Sequence, residues 1–69
     1  MKLSARNQLK GKVINVKDGA VNGIVTLELP GGQQVVASIT MDSIQNLGLK
    51  PGVDAVAIIK ATSVMMAVE

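Results

Sequence analysis

Apolar and polar positions alternate most clearly from Ile24 to Leu29, with Val25, Leu27 and Leu29 on one face and Ile24, Thr26 and Glu28 on the other. That period of two is the pattern of a half-buried strand. Pro30-Gly31-Gly32 follows, and because proline cannot extend a ladder while glycine adopts positive φ freely, it predicts a hairpin turn. Gln33 to Ile39 then returns as the partner strand. Upstream, a first strand is expected over much of Asn7 to Val16, with Gly11 marking a bulge or bend, and Asp18-Gly19 and Asn22-Gly23 flank a tight connection.

The alternation stops at Thr40-Met-Asp-Ser-Ile-Gln-Asn-Leu-Gly48. Thr40 is a suitable N-cap, Asp42 favours a first helical turn and Gly48 suits the position just past the end, so a helix of one or two turns is expected. Pro51-Gly52 opens another turn, followed by strands over Val53 to Ile59 and Ser63 to Val68. Nearly every position in these last two segments is apolar, so both of their faces are expected to be covered. In so short a chain the second cover is another subunit. Short strands with one helix before the last strand pair predict an all-β fold, a small five-stranded barrel of the oligonucleotide/oligosaccharide-binding (OB) type. A small antiparallel sandwich is the competing architecture.

Composition sharpens this picture. The 69 residues make one domain, with no Cys, His, Phe, Tyr or Trp, so Ala, Val, Ile, Leu and Met must build the core. At 48% hydrophobic, the chain has more small apolar side chains than a domain of this size hides, and self-association is the expected remedy. Net charge is +2 without any basic run, which gives little support to a polyanion-binding face. No apolar stretch approaches the ~20 residues that span a bilayer, and the opening residues lack the apolar core of a secretion signal, so no membrane partner and a cytoplasmic location are expected.

These absences also narrow the chemistry. The acids Asp18, Asp42, Asp54, Glu28 and Glu69 are scattered over turns, strand surfaces and the terminus, and no nucleophile stands beside a base, so an enzyme is not expected. Transition metals and calcium lack their ligand clusters. An OB module for single-stranded nucleic acid is the alternative reading, but it lacks the aromatic platforms on which bases stack. Anion binding needs only convergent N–H and O–H donors with one or two cations. Three segments offer such donors: Ser4-Ala5-Arg6-Asn7, Thr40-Met41-Asp42-Ser43 and Lys60-Ala61-Thr62-Ser63. Each is also explicable as ordinary polar residues at the end of an element, and spacing alone does not bring the three together.

The run Ser4-Ala5-Arg6-Asn7-Gln8-Leu9-Lys10-Gly11-Lys12-Val13, with Gly19-Ala20-Val21-Asn22 and Ile59-Lys60-Ala61-Thr62-Ser63-Val64, closely resembles the molbindin (Mop) family over essentially the whole chain. The resemblance implies an OB-like fold and a cytoplasmic homo-oligomer, a hexamer built as a trimer of dimers, that binds molybdate or tungstate at subunit interfaces. Related domains serve in molybdate-responsive regulators and transport ATPases. With no DNA- or nucleotide-binding segment in this sequence, storage or homeostasis of the oxyanion is the expected role.

Carried over by motif, the principal site uses Ser4, Ala5 and Arg6 with Lys60, Ala61, Thr62 and Ser63, joined by Thr40 and Ser43 from a neighbouring subunit. A second kind of site, lined by backbone amides, falls at Gly19, Ala20, Val21 and Asn22. No organic cofactor, free cation or nucleic acid is implied.

Overall fold

A computed structural model describes residues 1–69. Its four strands are β1 (Asn7–Lys17), β2 (Asn22–Glu28), β3 (Gln34–Thr40) and β4 (Asp54–Ile59). A short helix α1 (Met41–Leu47) lies between β3 and β4, and a 3-10 turn (Ala61–Ser63) follows β4. All strand pairs are antiparallel, in the order β3-β2-β1-β4. The sheet curls around Val13, Val25 and Leu27, with Ile44 of α1 closing one end.

The strands form where alternation places them. Val25 and Leu27 are buried while Glu28 is exposed, and Leu29 packs partly buried against the same cluster. The Pro30-Gly31-Gly32 hairpin is closed by Gly32 N–H to Leu29 O at 3.0 Å and Leu29 N–H to Gln33 O at 2.7 Å. Both of its glycines have positive φ, 95° and 93°, a region closed to most residues. Thr40 caps α1 through Ser43 N–H at 3.1 Å, and left-handed Gly48 ends it, with N–H bonds from Gly48 to Gln45 O and Leu49 to Ile44 O.

Three expectations are corrected. Asn22 and Gly23 belong to β2 and pair with Thr40 and Ile39, so the connection after β1 is confined to Asp18–Val21. The ladder irregularity lies between Val13 and Asn15, not at Gly11, which pairs in register with Ala55. Gly11 is required instead by close approach: a Cβ there would sit 2.4 Å from Glu28 O. The third correction concerns the fifth strand expected over Ser63 to Val68. Within one chain it does not form; Ser63 ends the 3-10 turn, and residues 64–69 are exposed and join no ladder. The chain is therefore a four-stranded, curled half-barrel.

The core is correspondingly small. Five residues are buried, four of them hydrophobic, whereas Val21, Val36, Leu47, Met65, Met66 and Val68 are each more than 60% exposed.

Candidate oxyanion site

The principal candidate is built where β1 begins and β4 ends. Antiparallel pairing runs out at Asn7 opposite Ile59, which places the residues before Asn7 beside those after Ile59. Asn7 Nδ2 donates to Ile59 O at 3.1 Å, tying the two strand ends together, and Gln8 Nε2 donates to Ala5 O at 3.0 Å, holding the Ser4–Arg6 segment against the start of β1. On the other wall, Ser63 N–H donates to Lys60 O at 2.8 Å and closes the 3-10 turn.

Between these walls lies an open cleft of about 500 Å³ lined by Ser4, Ala5, Arg6, Ile58, Lys60, Ala61 and Thr62. Two of the three segments singled out in the sequence, more than fifty residues apart, thus meet in one place. The cleft carries two cations and two hydroxyls, with no carboxylate. The first two N–H groups of the 3-10 turn, on Ala61 and Thr62, donate to no group of the chain, as expected at the start of a helical turn. Ser63 belongs to the same turn but does not line the cleft. Ile58 was not foreseen, because an apolar residue in an apolar strand carries no mark of a site. Asn7, already part of the first donor segment, and Gln8, which the sequence did not single out, act as positioning residues.

The third segment lies elsewhere in the chain. Thr40 pairs with Asn22, at the end of the sheet where β1 finishes. Ten residues of β1 separate that end from Asn7, on the order of 30 Å along the strand. Thr40 Oγ1 accepts from Ser43 N–H at 3.1 Å and shares a hydrogen bond with Ser43 Oγ at 2.9 Å, which leaves one hydroxyl proton of the pair for a ligand.

Gly19, Ala20 and Val21 form the exposed connection after β1, and the loop is tied to α1 by Met41 N–H to Val21 O at 2.8 Å. None of the backbone bonds outside the regular elements uses the N–H of Gly19, Ala20 or Val21 as donor. Asn22, by contrast, is a strand residue.

A second cleft, of about 600 Å³, has Lys10, Lys12, Glu28 and Asp54 among its lining residues. It balances positive against negative charge, and Lys12 Nζ is 3.2 Å from Asp54 Oδ1. Carboxylates in the lining disfavour a fully ionised anion, so this groove does not compete as an oxyanion site.

The TOBE domain model matches residues 3–66. A probable molybdenum-pterin-binding protein from Haemophilus influenzae is 49% identical over 69 residues, the full length of both chains. MopII from Clostridium pasteurianum, in an apo form, superimposes with a TM-score of 0.92 at 45% identity, covering 97% of this chain and all of that one. The cytoplasmic molybdate-binding protein ModG with molybdate bound gives a TM-score of 0.86 at 49% identity, covering 88% of this chain and 43% of that one. The family model over residues 3–66, relatives close to half identical and a superposition over nearly every residue place the chain in the TOBE-domain family, within its molbindin (Mop) group.

Proposed function

We propose that the chain binds molybdate, and tungstate as its close analogue, between the subunits of a homo-oligomer, and that it serves as an intracellular store of the oxyanion. The observation that carries this reading is the cleft where Arg6 and Lys60 face a common space with Ser4, Thr62 and free backbone N–H groups and without a carboxylate. Molybdate at neutral pH is a fully deprotonated tetrahedral dianion. It accepts hydrogen bonds from every direction and donates none, so it suits a lining of donors only. The relatives described as binding molybdenum-pterin or molybdate support the choice of ion.

The cleft is open and much larger than one oxyanion, so a single subunit supplies one wall. Ser43, at the opposite end of the sheet, completes the lining when it comes from a neighbouring copy, with Thr40 orienting its hydroxyl. The apolar side chains left exposed on one subunit support such association, and a hexamer built from three dimers is the assembly we favour. The free amides of Gly19, Ala20 and Val21 form a second kind of site, in which the backbone alone contacts the ion.

The role is binding, in which the donors hold the dianion without reacting with it. Arg6 and Lys60 offset its charge, and the hydroxyls and amides fix its orientation. Sulfate has the same charge and proton state, so discrimination against it comes from size. The small Ala5 and Ala61 side chains leave room for the longer metal–oxygen bonds. Isothermal titration with molybdate, tungstate, sulfate and phosphate tests the reading. Saturable binding of the first two, well ahead of the others, is expected; no saturable molybdate binding would refute it.

A further inference from the structure

We infer that Lys60 is an acylation site for acyl phosphates, the mixed anhydrides of a carboxylic acid and phosphate, and that its acylation loosens the hold of the cleft on an oxyanion. The inference rests on the anion-binding reading above and adds a second class of ligand to the same cleft. All six lysines of the chain, Lys2, Lys10, Lys12, Lys17, Lys50 and Lys60, are exposed, so access does not distinguish them. Their surroundings do. Lys10 and Lys12 share a groove with Glu28 and Asp54, and Lys12 is paired with Asp54; carboxylates there repel a doubly charged phosphoryl group. Lys60 stands in a cleft with Arg6, Ser4 and Thr62 and no carboxylate, and its ammonium makes no hydrogen bond or ion pair to the chain.

An acyl phosphate carries at one end what this cleft is suited to hold, a tetrahedral anion that accepts hydrogen bonds and donates none at neutral pH. A cleft that admits an oxyanion from solution admits that end by the same route. Arg6 and the free N–H groups of Ala61 and Thr62 match it, and a guanidinium, always protonated, does not itself react. The volume of about 500 Å³ lies within the ~300–1,000 Å³ of sites for small organic molecules, so the acyl group fits beside the phosphate, against Ala5, Ile58 or Ala61. The acyl carbon is one bridging oxygen away from the phosphorus. Holding the phosphoryl end therefore keeps that carbon in the cleft that contains the Lys60 nitrogen, and confinement of this kind replaces a bimolecular encounter with a local one.

The step balances without a further reactant. The Lys60 ammonium gives a proton to water, and the neutral nitrogen forms a bond to the acyl carbon. The bond from that carbon to the bridging oxygen breaks, phosphate leaves with the electron pair, and the nitrogen passes its second proton to the departing phosphate. Arg6 and the free amides stabilise the charge that gathers on the leaving group. The products are an amide at Lys60 and hydrogen phosphate. The amide is uncharged, so one of the two cations that offset an oxyanion is gone, and the new carbonyl oxygen is an acceptor where the ion needs donors.

Site-resolved mass spectrometry of the full chain, treated with acetyl phosphate or with the uncharged donor N-hydroxysuccinimidyl acetate, tests the inference. Acetyl phosphate should acylate Lys60 at least about tenfold faster than Lys10, and Arg6→Ala or added molybdate should remove most of that preference. The uncharged donor should modify the two lysines at comparable rates. Protein acylated at Lys60, and Lys60→Gln, which loses the same charge, should bind molybdate at least about tenfold more weakly in isothermal titration. Three results would overturn the inference: no preference for Lys60 with acetyl phosphate, an equal preference with the uncharged donor, which would mark a generally reactive amine, or unchanged molybdate affinity after complete acylation of Lys60. The two readings fail separately. Parent protein that binds molybdate while Lys60 reacts no faster than Lys10 refutes the acylation alone; directed acylation of Lys60 in a protein that binds no molybdate refutes the proposed function alone.

Discussion

Lys60→Ala probes the proposed site most directly. The Lys60 ammonium makes no hydrogen bond or ion pair within its own chain, and the residue is exposed in the isolated subunit. Its removal should therefore leave folding stability within about 0.5 kcal/mol of the parent. The effect on binding depends on enclosure. A charge-assisted hydrogen bond to an enclosed ligand contributes about 1.5–3 kcal/mol, equivalent to a roughly 10- to 150-fold weaker Kd. An interaction left open to solvent contributes below about 1 kcal/mol, less than about fivefold. The open cleft of one subunit would give the smaller effect, and closure by a neighbour the larger, so a loss of tenfold or more is expected. Lys10→Ala is the matched control, because it lowers the net charge from +2 by the same single unit but lies in the other groove. Isothermal titration with molybdate, at oligomer masses verified by light scattering, measures both. Unchanged affinity in Lys60→Ala, or an equal loss in Lys10→Ala, would refute the site and leave only a general attraction of the anion to a basic protein.

Other residues separate structural from binding roles. Thr40→Ala should lower stability by about 1 kcal/mol through loss of the helix cap, read by urea unfolding. Ser43→Ala should instead weaken molybdate binding with a smaller effect on stability. Ile44→Ala, which removes the side chain that closes one end of the core, should cost about 2–5 kcal/mol, enough to unfold much of so small a domain in a thermal melt. Gly19→Ala places a Cβ 2.1 Å from Asn22 O and should reshape the amide loop. The number of oxyanions bound per chain should then fall in titration, while the Lys60-dependent sites persist.

Much of the fold was legible because it depends on local patterning. Alternation marked β2, and the glycines with positive φ marked the hairpin at Gly31-Gly32. Thr40 and Gly48 bounded α1 to the residue. The donor segments at Ser4–Arg6 and Lys60–Thr62 were visible as well, since hydroxyl, guanidinium and ammonium groups stand out in an apolar chain. The ladder irregularity near Ile14 was not legible. It belongs to the pairing of β1 with β2, which shifts between Val13 and Asn15, and a register is a property of two strands and not of either one's pattern.

The sequence by itself determined the β2 strand, the hairpin that follows it, the bounds of α1, and which residues can donate to an anion. Those are properties of residue type and of neighbours within a few positions. Tertiary structure decided which donors meet. The β1–β4 register ends at Asn7 and Ile59 and so brings Arg6 to Lys60, whereas the β2–β3 register carries Thr40 and Ser43 to the far end of the sheet. It also decided that the apolar run over residues 64–68 joins no strand of its own sheet. An apolar pattern records that a segment must be covered; only the arrangement of the other strands determines whether the cover lies within the same chain.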